Sequence, residues 1–376
     1  MERETSLIRD RRWLPGIWFP VCVFAIWRLA HAAVTFRFGG NSVDVAKYYD
    51  GAHYLRILYL GYGTPRRMMP SHAFFPGLSW IASPVQWLTS SDTSTILIVT
   101  TLTSLAAFVA LWGVSREWIG ERSARLAVVL FALFPSSLFL WTFYSESLFV
   151  ALGAGAVWAD RRGRRWLALA CFAALSTTRS IGIVVPIVIV LVRVVRERGI
   201  DKWAVGYLAA GVTGFGAVLV TMQIQLGDAF AFIRVQEDWG RTLAWPWRSV
   251  IQGVQNLNPR AGTVMVPSLI ARNLDLWCVA IVIIGVGWMI VSKRPRFPVE
   301  AWLLGVALIV APLCSSVLAS FNRFTLADWV LFPAYASLID RFPGRWRKIS
   351  LVVVVVGCVL TGYALLGRLT AKRFLG

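Results

Sequence analysis

A carboxylate and an imidazole lie three residues apart in a polar, aromatic segment of an otherwise strongly apolar chain. The segment reads Tyr48-Tyr49-Asp50-Gly51-Ala52-His53-Tyr54-Leu55-Arg56-Ile57. Ionisable groups beside a bilayer cost free energy unless they pair, reach water or take part in chemistry. A carboxylate held there could accept a proton from a sugar hydroxyl as that hydroxyl attacks an activated carbon. Asp50 is therefore the first candidate catalytic residue.

The spacing of these residues predicts a short helix over about 45–60. Asp50, His53, Tyr54 and Ile57 fall at i, i+3, i+4 and i+7, so they share one helix face. We expect the helix to lie along the membrane interface, with its acid and imidazole on the polar side.

An alternative interpretation makes the same helix a solvated one without catalytic groups. In that case Asp50 pairs with Lys47 or Arg56, its neighbours along the helix. Both interpretations end the helix at Gly61, because glycine suits the left-handed cap conformation.

Three further polar groups stand alone in apolar or aromatic stretches. His72 opens an aromatic segment bent by Pro76, for which plain interfacial anchoring is the favoured interpretation. Glu146 lies in a short turn without a basic neighbour, and Arg179 is an isolated cation. Each needs water, a partner or a ligand, so Glu146 and Arg179 either pair with each other or bind a substrate.

Two later motifs combine arginine with aromatic residues. Gln236, Trp239 and Arg241 belong to one such motif, and Arg323 follows Asn322 in the other. Tryptophan faces suit sugar rings, and guanidinium groups bind phosphate in bidentate geometry. The alternative for the first motif is an interfacial helix anchored by its Trp and Arg side chains. Arg323 is expected at the outer membrane surface, where a lipid phosphate would lie.

The composition requires many helices to carry these groups. Apolar residues make up 57% of the 376, charged residues 15%, and mean hydropathy is +0.64. Such values are typical of an all-α, polytopic membrane protein with about ten or eleven spans. Candidate spans lie near 17–36, 96–114, 126–142, 147–159, 166–178, 181–195, 203–224, 274–291, 299–318, 327–340 and 349–366. The segment 181–195 contains Pro186, which we expect to interrupt it.

Short arginine-rich turns predict the orientation. They alternate with spans in a way that puts the N-terminus in the cytoplasm and the long loops 37–95 and 225–273 outside. Arg368 and two further basic residues of the tail then lie on the outer side, against this rule. An error of one span near the end would resolve that conflict. We interpret 1–376 as one integral-membrane domain, retained in the membrane by the first span and of bacterial origin, in the plasma membrane.

Several classes of function are disfavoured by what the chain lacks. A net charge of +19 comes without any nucleic-acid recognition module, so it is assigned to membrane orientation and contacts with lipid headgroups. The five cysteines show no CxxC spacing, which argues against a disulfide framework or a metal site. No phosphate-binding glycine loop, HExxH or DxD motif is present. We expect no cofactor and no metal.

Six motifs in order resemble those of the PIG-V-like mannosyltransferases, part of the GT-C superfamily of integral-membrane glycosyltransferases. They are Tyr49-Asp50-Gly51-Ala52-His53-Tyr54-Leu55-Arg56-Ile57, Phe74-Phe75-Pro76, Tyr144-Ser145-Glu146-Ser147-Leu148-Phe149, Thr178-Arg179-Ser180-Ile181-Gly182, Gln236-Glu237-Asp238-Trp239-Gly240-Arg241, and Arg323-Phe324-Thr325-Leu326 with Phe332-Pro333. The resemblance covers about 50–335. Tyr49 replaces the usual Trp, and Asn322 stands where Pro often precedes the Arg.

The resemblance implies a polyprenyl-phosphate-linked mannose donor and an extracytoplasmic lipid-linked or glycan acceptor. It makes Asp50 the base that deprotonates the acceptor, with inversion at the anomeric carbon, and makes the leaving phosphate the partner of arginines. The substrate-binding residues it implies are His53, Tyr54, His72, Glu146, Arg179, Gln236, Trp239, Arg241 and Arg323. The alternative from another class is a transporter or flippase for a lipid-linked saccharide, which predicts an internal repeat that this sequence lacks.

Overall fold

The computed structural model describes residues 14–63, 69–255 and 273–371, and within these ranges the chain is built from helices. The one strand-like contact there is an antiparallel bridge between Leu243 and Ser315. The helices are α1 (Leu14–Arg37), α2 (Ser42–Ala46), α3 (Asp50–Leu60), α4 (Gly77–Thr89), α5 (Asp92–Leu133), α6 (Glu146–Arg161), α7 (Arg165–Leu175), α8 (Val184–Glu197), α9 (Lys202–Leu226), α10 (Ala231–Arg234), α11 (Pro246–Gln255), α12 (Leu274–Val291), α13 (Val299–Leu313), α14 (Phe321–Ala327), α15 (Leu331–Asp340) and α16 (Gly344–Thr370). The all-α fold class is confirmed.

Five of the described helices are long and apolar enough to cross a membrane: α1, α5, α9, α12 and α16. Two shorter apolar helices, α7 and α13, accompany them. Helix α5 packs along α1, α6 and α15. Gly113 allows one of these contacts, because a Cβ there would lie 2.4 Å from the Trp158 ring.

Charged residues gather at the two ends of this bundle. At one end, the arginine-rich turns are tied together by ion pairs. Arg162 and Glu117 lie 2.5 Å apart, and Arg161 and Glu300 lie 2.9 Å apart. The other end holds Asp50 and the remaining candidate residues. The bundle therefore separates a basic end from an end that carries the predicted chemistry.

The predicted spans 96–114 and 126–142 form one helix broken at Gly120, where φ is +79°. The second part ends at Leu133 rather than 142, because Phe134 precedes Pro135 and takes the extended conformation that proline imposes. A 3₁₀ turn, Pro135–Leu140, continues the chain.

Other predicted bounds were wrong for related reasons. Pro186 does not interrupt α8, since it lies in the first turn, where its missing N–H would have no helical partner. The span 299–318 ends at Leu313, just after Pro312. The span 327–340 begins only at Leu331, because the three residues 328–330 separate α14 from α15.

The end of α16 lies beside the candidate site rather than at the basic end. Gly367 packs against the Phe38 ring, and a Cβ at that glycine would be 2.9 Å from the ring. Phe38 and Tyr363 also lie 4.8 Å apart between ring centroids. Arg368 therefore shares the end of the bundle that carries Asp50, and a miscounted span does not explain its position. The other two basic residues of the tail, Lys372 and Arg373, lie outside the described residues.

Candidate active site

Asp50 is positioned by a break between α2 and α3, so the single helix predicted over 45–60 was wrong. Tyr49, the residue before it, has a φ of +52°, a conformation that costs of order 1–3 kcal/mol outside glycine. Tyr144, in the turn before α6, holds this break in place, since its hydroxyl donates to the Tyr48 carbonyl at 2.9 Å. Gly51 passes so close to Ala46 that a Cβ would lie 2.3 Å from its carbonyl oxygen.

The Asp50 carboxylate pairs with an arginine from a distant part of the chain. Its Oδ2 lies 2.6 Å from Nη1 of Arg323, and its side chain is 15% exposed. Neither Lys47 nor Arg56 forms this ion pair, so the solvated-helix interpretation does not describe the structure. The Arg56 guanidinium instead donates to the Met69 carbonyl at 2.9 Å.

Glu146 lies behind this pair and joins a second arginine to it. Its Oε1 accepts from Arg323 Nε at 2.7 Å and lies 3.2 Å from Arg179 Nη1. The Glu146 side chain is fully buried, whereas both arginines keep 13% of their side chains exposed. Two acids and two arginines thus form a compact cluster in which the acids offset the two cations.

Aromatic rings hold the guanidinium planes of both arginines. Arg323 lies over the rings of Phe139 and Tyr144, 5.0 and 4.7 Å from their centroids. Arg179 lies over Phe324 at 4.9 Å. Cation–π contacts of this kind are worth about 0.5–2 kcal/mol each, more when desolvated. The two cations are therefore fixed before any ligand arrives.

The cluster opens into a cavity of about 680 Å³. The candidate residues that line this cavity are Asp50, Tyr54, Arg179, Gln236, Trp239, Arg241 and Arg323. This size accommodates a sugar ring with its phosphate. Seven candidates from four separate segments of the chain thus meet at one surface.

The loop after α9 forms the far wall of the cavity with the segment that follows α13. Ala244 N donates to Cys314 O at 2.7 Å, and Ser316 N donates to Thr242 O at 2.9 Å. Arg241 donates to the Ala319 carbonyl at 3.3 Å. Burial lowers the pKa of the Arg241 guanidinium, and the neighbouring Arg323 lowers it further. Arg241 is thus a third cation facing the same space.

Three predicted substrate-binding residues do not line the cavity. His53 is 8% exposed and stacks on Phe74 at 4.7 Å, while its Nδ1 lies 3.1 Å from Ser71 Oγ. His72 is likewise absent from the lining, and so is Glu146. Burial lowers the pKa of both imidazoles. These three residues thus lie near the cavity but do not line it.

Sequence reasoning missed residues that complete the site. Tyr49, Phe139 and Tyr144 line the cavity, and Asn322 lines it while anchoring α14. The Asn322 side chain donates to Asp275 Oδ1 at 2.6 Å, at the start of α12. The sequence did offer one signal for this contact. Asp275 lies in the first turn of the predicted span 274–291, where a carboxylate needs a hydrogen-bond donor.

No three His, Cys, Asp or Glu side chains lie close enough to hold a metal ion within the residues that the structure describes. The expectation of no metal and no cofactor stays a prediction.

Comparison with known sequences bears on the first half of the chain. Residues 39–197 match the family model described as Mannosyltransferase (PIG-V). GPI alpha-1,6-mannosyltransferase 2 of Rattus norvegicus is 33% identical over 149 residues, which cover 36% of this chain and 29% of the relative. The Homo sapiens protein of the same name is 30% identical over 150 residues, with the same shares covered. The chain thus matches these curated relatives over less than a third of their length.

Solved structures resemble nearly the whole chain. ArnT from Cupriavidus metallidurans, crystallised with undecaprenyl phosphate, superposes with a TM-score of 0.57 at 14% identity, covering 92% of this chain and 77% of that one. The archaeal oligosaccharyltransferase AglB from Archaeoglobus fulgidus, in complex with an inhibitory peptide and a dolichol-phosphate, gives 0.50 at 12% identity, covering 97% and 57%. At such identities the likeness concerns the fold. Residues 39–197 are thus similar to the Mannosyltransferase (PIG-V) family, and the fold of nearly the whole chain resembles that of the ArnT and AglB structures.

Proposed function

We propose that this protein transfers mannose from a polyprenyl-phosphate donor to an extracytoplasmic lipid-linked or glycan acceptor. The proposal rests on one observation: Asp50, Arg179 and Arg323 line the same cavity. A base and a pair of fixed cations are what this reaction needs. The family match supports the transfer of mannose, and the lipid phosphates named for the two solved structures support the class of donor.

In the proposed reaction, Asp50 acts on the acceptor hydroxyl. The hydroxyl oxygen attacks the anomeric carbon while the carboxylate takes the hydroxyl proton. The bond from that carbon to the phosphate oxygen breaks, and the phosphate leaves with the electron pair. Attack opposite the leaving group inverts the anomeric configuration. A phosphate leaves without protonation, so the site needs no general acid.

Arg179 and Arg323 are proposed to stabilise the departing phosphate. Both guanidinium groups are immobilised by Glu146 and by aromatic rings, so little reorganisation accompanies the build-up of charge. Removal of one such preorganised donor typically costs about 3–4 kcal/mol of transition-state stabilisation. Arg241, on the opposite wall, supplies a third cation for the phosphate or its sugar.

We further propose that the site faces the outside of the plasma membrane. The arginine-rich turns lie at the opposite end of the bundle, and such turns are typically cytoplasmic. Donor and acceptor would then meet at the outer leaflet.

Purified protein in liposomes with a panel of polyprenyl-phosphate sugars and lipid acceptors tests the proposal. We expect transfer from the mannosyl donor, with the opposite anomeric configuration in the product. Movement of the donor across the bilayer without any product would instead support a flippase and contradict the transferase. Transfer with retained configuration would contradict direct attack assisted by Asp50.

A further inference from the structure

Arg28 is an arginine inside the first spanning helix, away from the cavity. It lies nine residues before Arg37, the last residue of α1, which corresponds to about 13 Å along the helix. Among the described residues no carboxylate pairs with it. A charged side chain at such depth is costly unless it finds a partner.

The contacts that Arg28 does make leave most of its donors unused. Its Nη2 lies 3.5 Å from Thr100 Oγ1, at the limit of a hydrogen bond. Its guanidinium lies over the ring of Trp141, 5.6 Å from the centroid. A guanidinium carries five N–H donors, so one long hydrogen bond and one ring contact leave the group short of acceptors. An anion would supply them.

The Trp141 ring holds this arrangement together. His31, one turn after Arg28, packs against the same ring at 6.4 Å between centroids. The indole Nε1 of Trp141 is buried without a hydrogen-bond partner. Neither Arg28 nor Trp141 lines the active-site cavity. The cluster of Arg28, Thr100 and Trp141 is thus a separate polar site, hereafter the Arg28 site.

The surroundings of Arg28 indicate a lipid as the source of the anion. Ala25, Leu29 and Ala32 are its neighbours on the helix surface and are all exposed, Leu29 to 70%, so this surface faces hydrocarbon rather than water. A soluble anion has no favourable path to it. Helix α1 is about 36 Å long, whereas the hydrocarbon layer is roughly 30 Å thick. The ends of the helix therefore extend past this layer, and Arg28 lies less deep in it than its distance from Arg37 suggests.

We propose that the Arg28 site binds the phosphate group of a membrane lipid. The guanidinium supplies bidentate donors to the phosphate oxygens, Thr100 lies beside it, and Trp141 fixes the guanidinium plane. The phosphate belongs either to a bulk phospholipid or to a polyprenyl phosphate. The proposal does not depend on the proposed mannosyl transfer.

Native mass spectrometry of the full chain, released from detergent with defined lipids, tests this site. The probes are phosphatidylglycerol, a polyprenyl phosphate and the uncharged polyprenol. We expect one phosphate-bearing lipid to bind at least tenfold more weakly to Arg28→Gln than to the wild type. Arg125→Gln is the matched control, because it removes the same charge from an arginine that already pairs with Glu121 at 2.8 Å.

The polyprenyl-phosphate arm uses an Arg323→Gln background, so that binding at the proposed active site does not mask the result. Stronger loss for phosphatidylglycerol identifies a bulk lipid, and stronger loss for polyprenyl phosphate identifies the isoprenoid lipid. Arg28→Lys keeps the charge and should retain part of the binding, which separates ligand loss from misfolding. Equal binding of both phosphate lipids by wild type and Arg28→Gln would overturn the proposal, as would a loss of polyprenol binding in Arg28→Gln as large as the loss of the phosphate lipids.

Discussion

Asp50 and Arg323 form an ion pair in the structure: the carboxylate Oδ2 and the guanidinium Nη1 lie 2.6 Å apart. The proposed base therefore shares its oxygen with the cation proposed to receive the donor phosphate. In the proposed reaction the phosphate competes with Asp50 for Arg323, which Glu146 and the aromatic rings keep in place, so the carboxylate turns from Arg323 to the acceptor hydroxyl. The pair thus links donor binding to activation of the base.

Removal of the competing carboxylate should strengthen lipid-phosphate binding. For Asp50→Asn we expect polyprenyl phosphate to bind about three- to tenfold more tightly, up to about 1.4 kcal/mol. Glu146→Gln is the control, since it removes a charge of the same sign but releases Arg179 and Arg323 from their buried anchor, and it should weaken binding. Titration of the purified variants measures both. Equal tightening in the two variants would mean a simple charge effect and would contradict the competition.

Gly51 should be intolerant of a side chain because its position sets that of Asp50. A methyl group in Gly51→Ala would collide with the Ala46 carbonyl, so α3 must shift. We expect a loss of about 1–3 kcal/mol in stability, typical of overpacking, and at least tenfold lower turnover. Gly199→Ala is the control, since no atom lies within 4 Å of its added Cβ. Thermal unfolding and transfer assays on both variants check this, and wild-type behaviour of Gly51→Ala would contradict it.

Burial of His53 should make stability fall in mild acid. Burial lowers the pKa of this imidazole in the folded protein, while the unfolded chain protonates near the ordinary value of about 6.5. Below that pH the unfolded state binds the proton more readily, so the free energy of unfolding decreases as the pH falls. Above it the effect is absent.

Melting temperatures between pH 7.5 and 5 for wild type and His53→Asn measure this effect. The variant should show the shallower decline. Some decline should remain, because burial lowers the pKa of His72 as well. The same pH dependence in both proteins would show that His53 does not contribute.

The orientation can be measured with single cysteines at the two ends of the bundle. Asp44 is exposed beside the site, and Arg345 is exposed in the first turn of α16, at the arginine-rich end. In intact cells we expect an impermeant maleimide to label Asp44→Cys but to reach Arg345→Cys only after permeabilisation. The unmodified chain controls for its five native cysteines. The reverse pattern would place the site in the cytoplasm.

The helices were predictable from the sequence because long apolar runs leave few alternatives in a bilayer. Helix α12 has the predicted bounds, 274–291. Helices α5 and α15 differ because proline and a buried aspartate end or divide them in ways that hydropathy does not register. The break before Asp50 was missed because it depends on Tyr144, which reaches Tyr48 only in the folded bundle.

Residue types predicted the members of the site better than their roles. Asp50, Arg179 and Arg323 were recognisable as isolated charges near apolar spans. Their partners were not recognisable, because Arg323 joins Asp50 to Glu146 across segments that are far apart in the chain. Side-chain burial also decided which candidates face the cavity, and for this reason Glu146 and His53 lie behind it.

The most direct test compares the rates of mannose transfer by wild type, Asp50→Asn and Asp44→Asn. The three proteins are purified separately by the same procedure and supplied with polyprenyl-phosphate mannose. Asp44→Asn makes the same chemical change at an exposed residue outside the cavity. We predict loss of at least a thousandfold in turnover for Asp50→Asn with polyprenyl-phosphate binding retained, and wild-type turnover for Asp44→Asn. Turnover within tenfold of wild type in Asp50→Asn would contradict the assignment of the base.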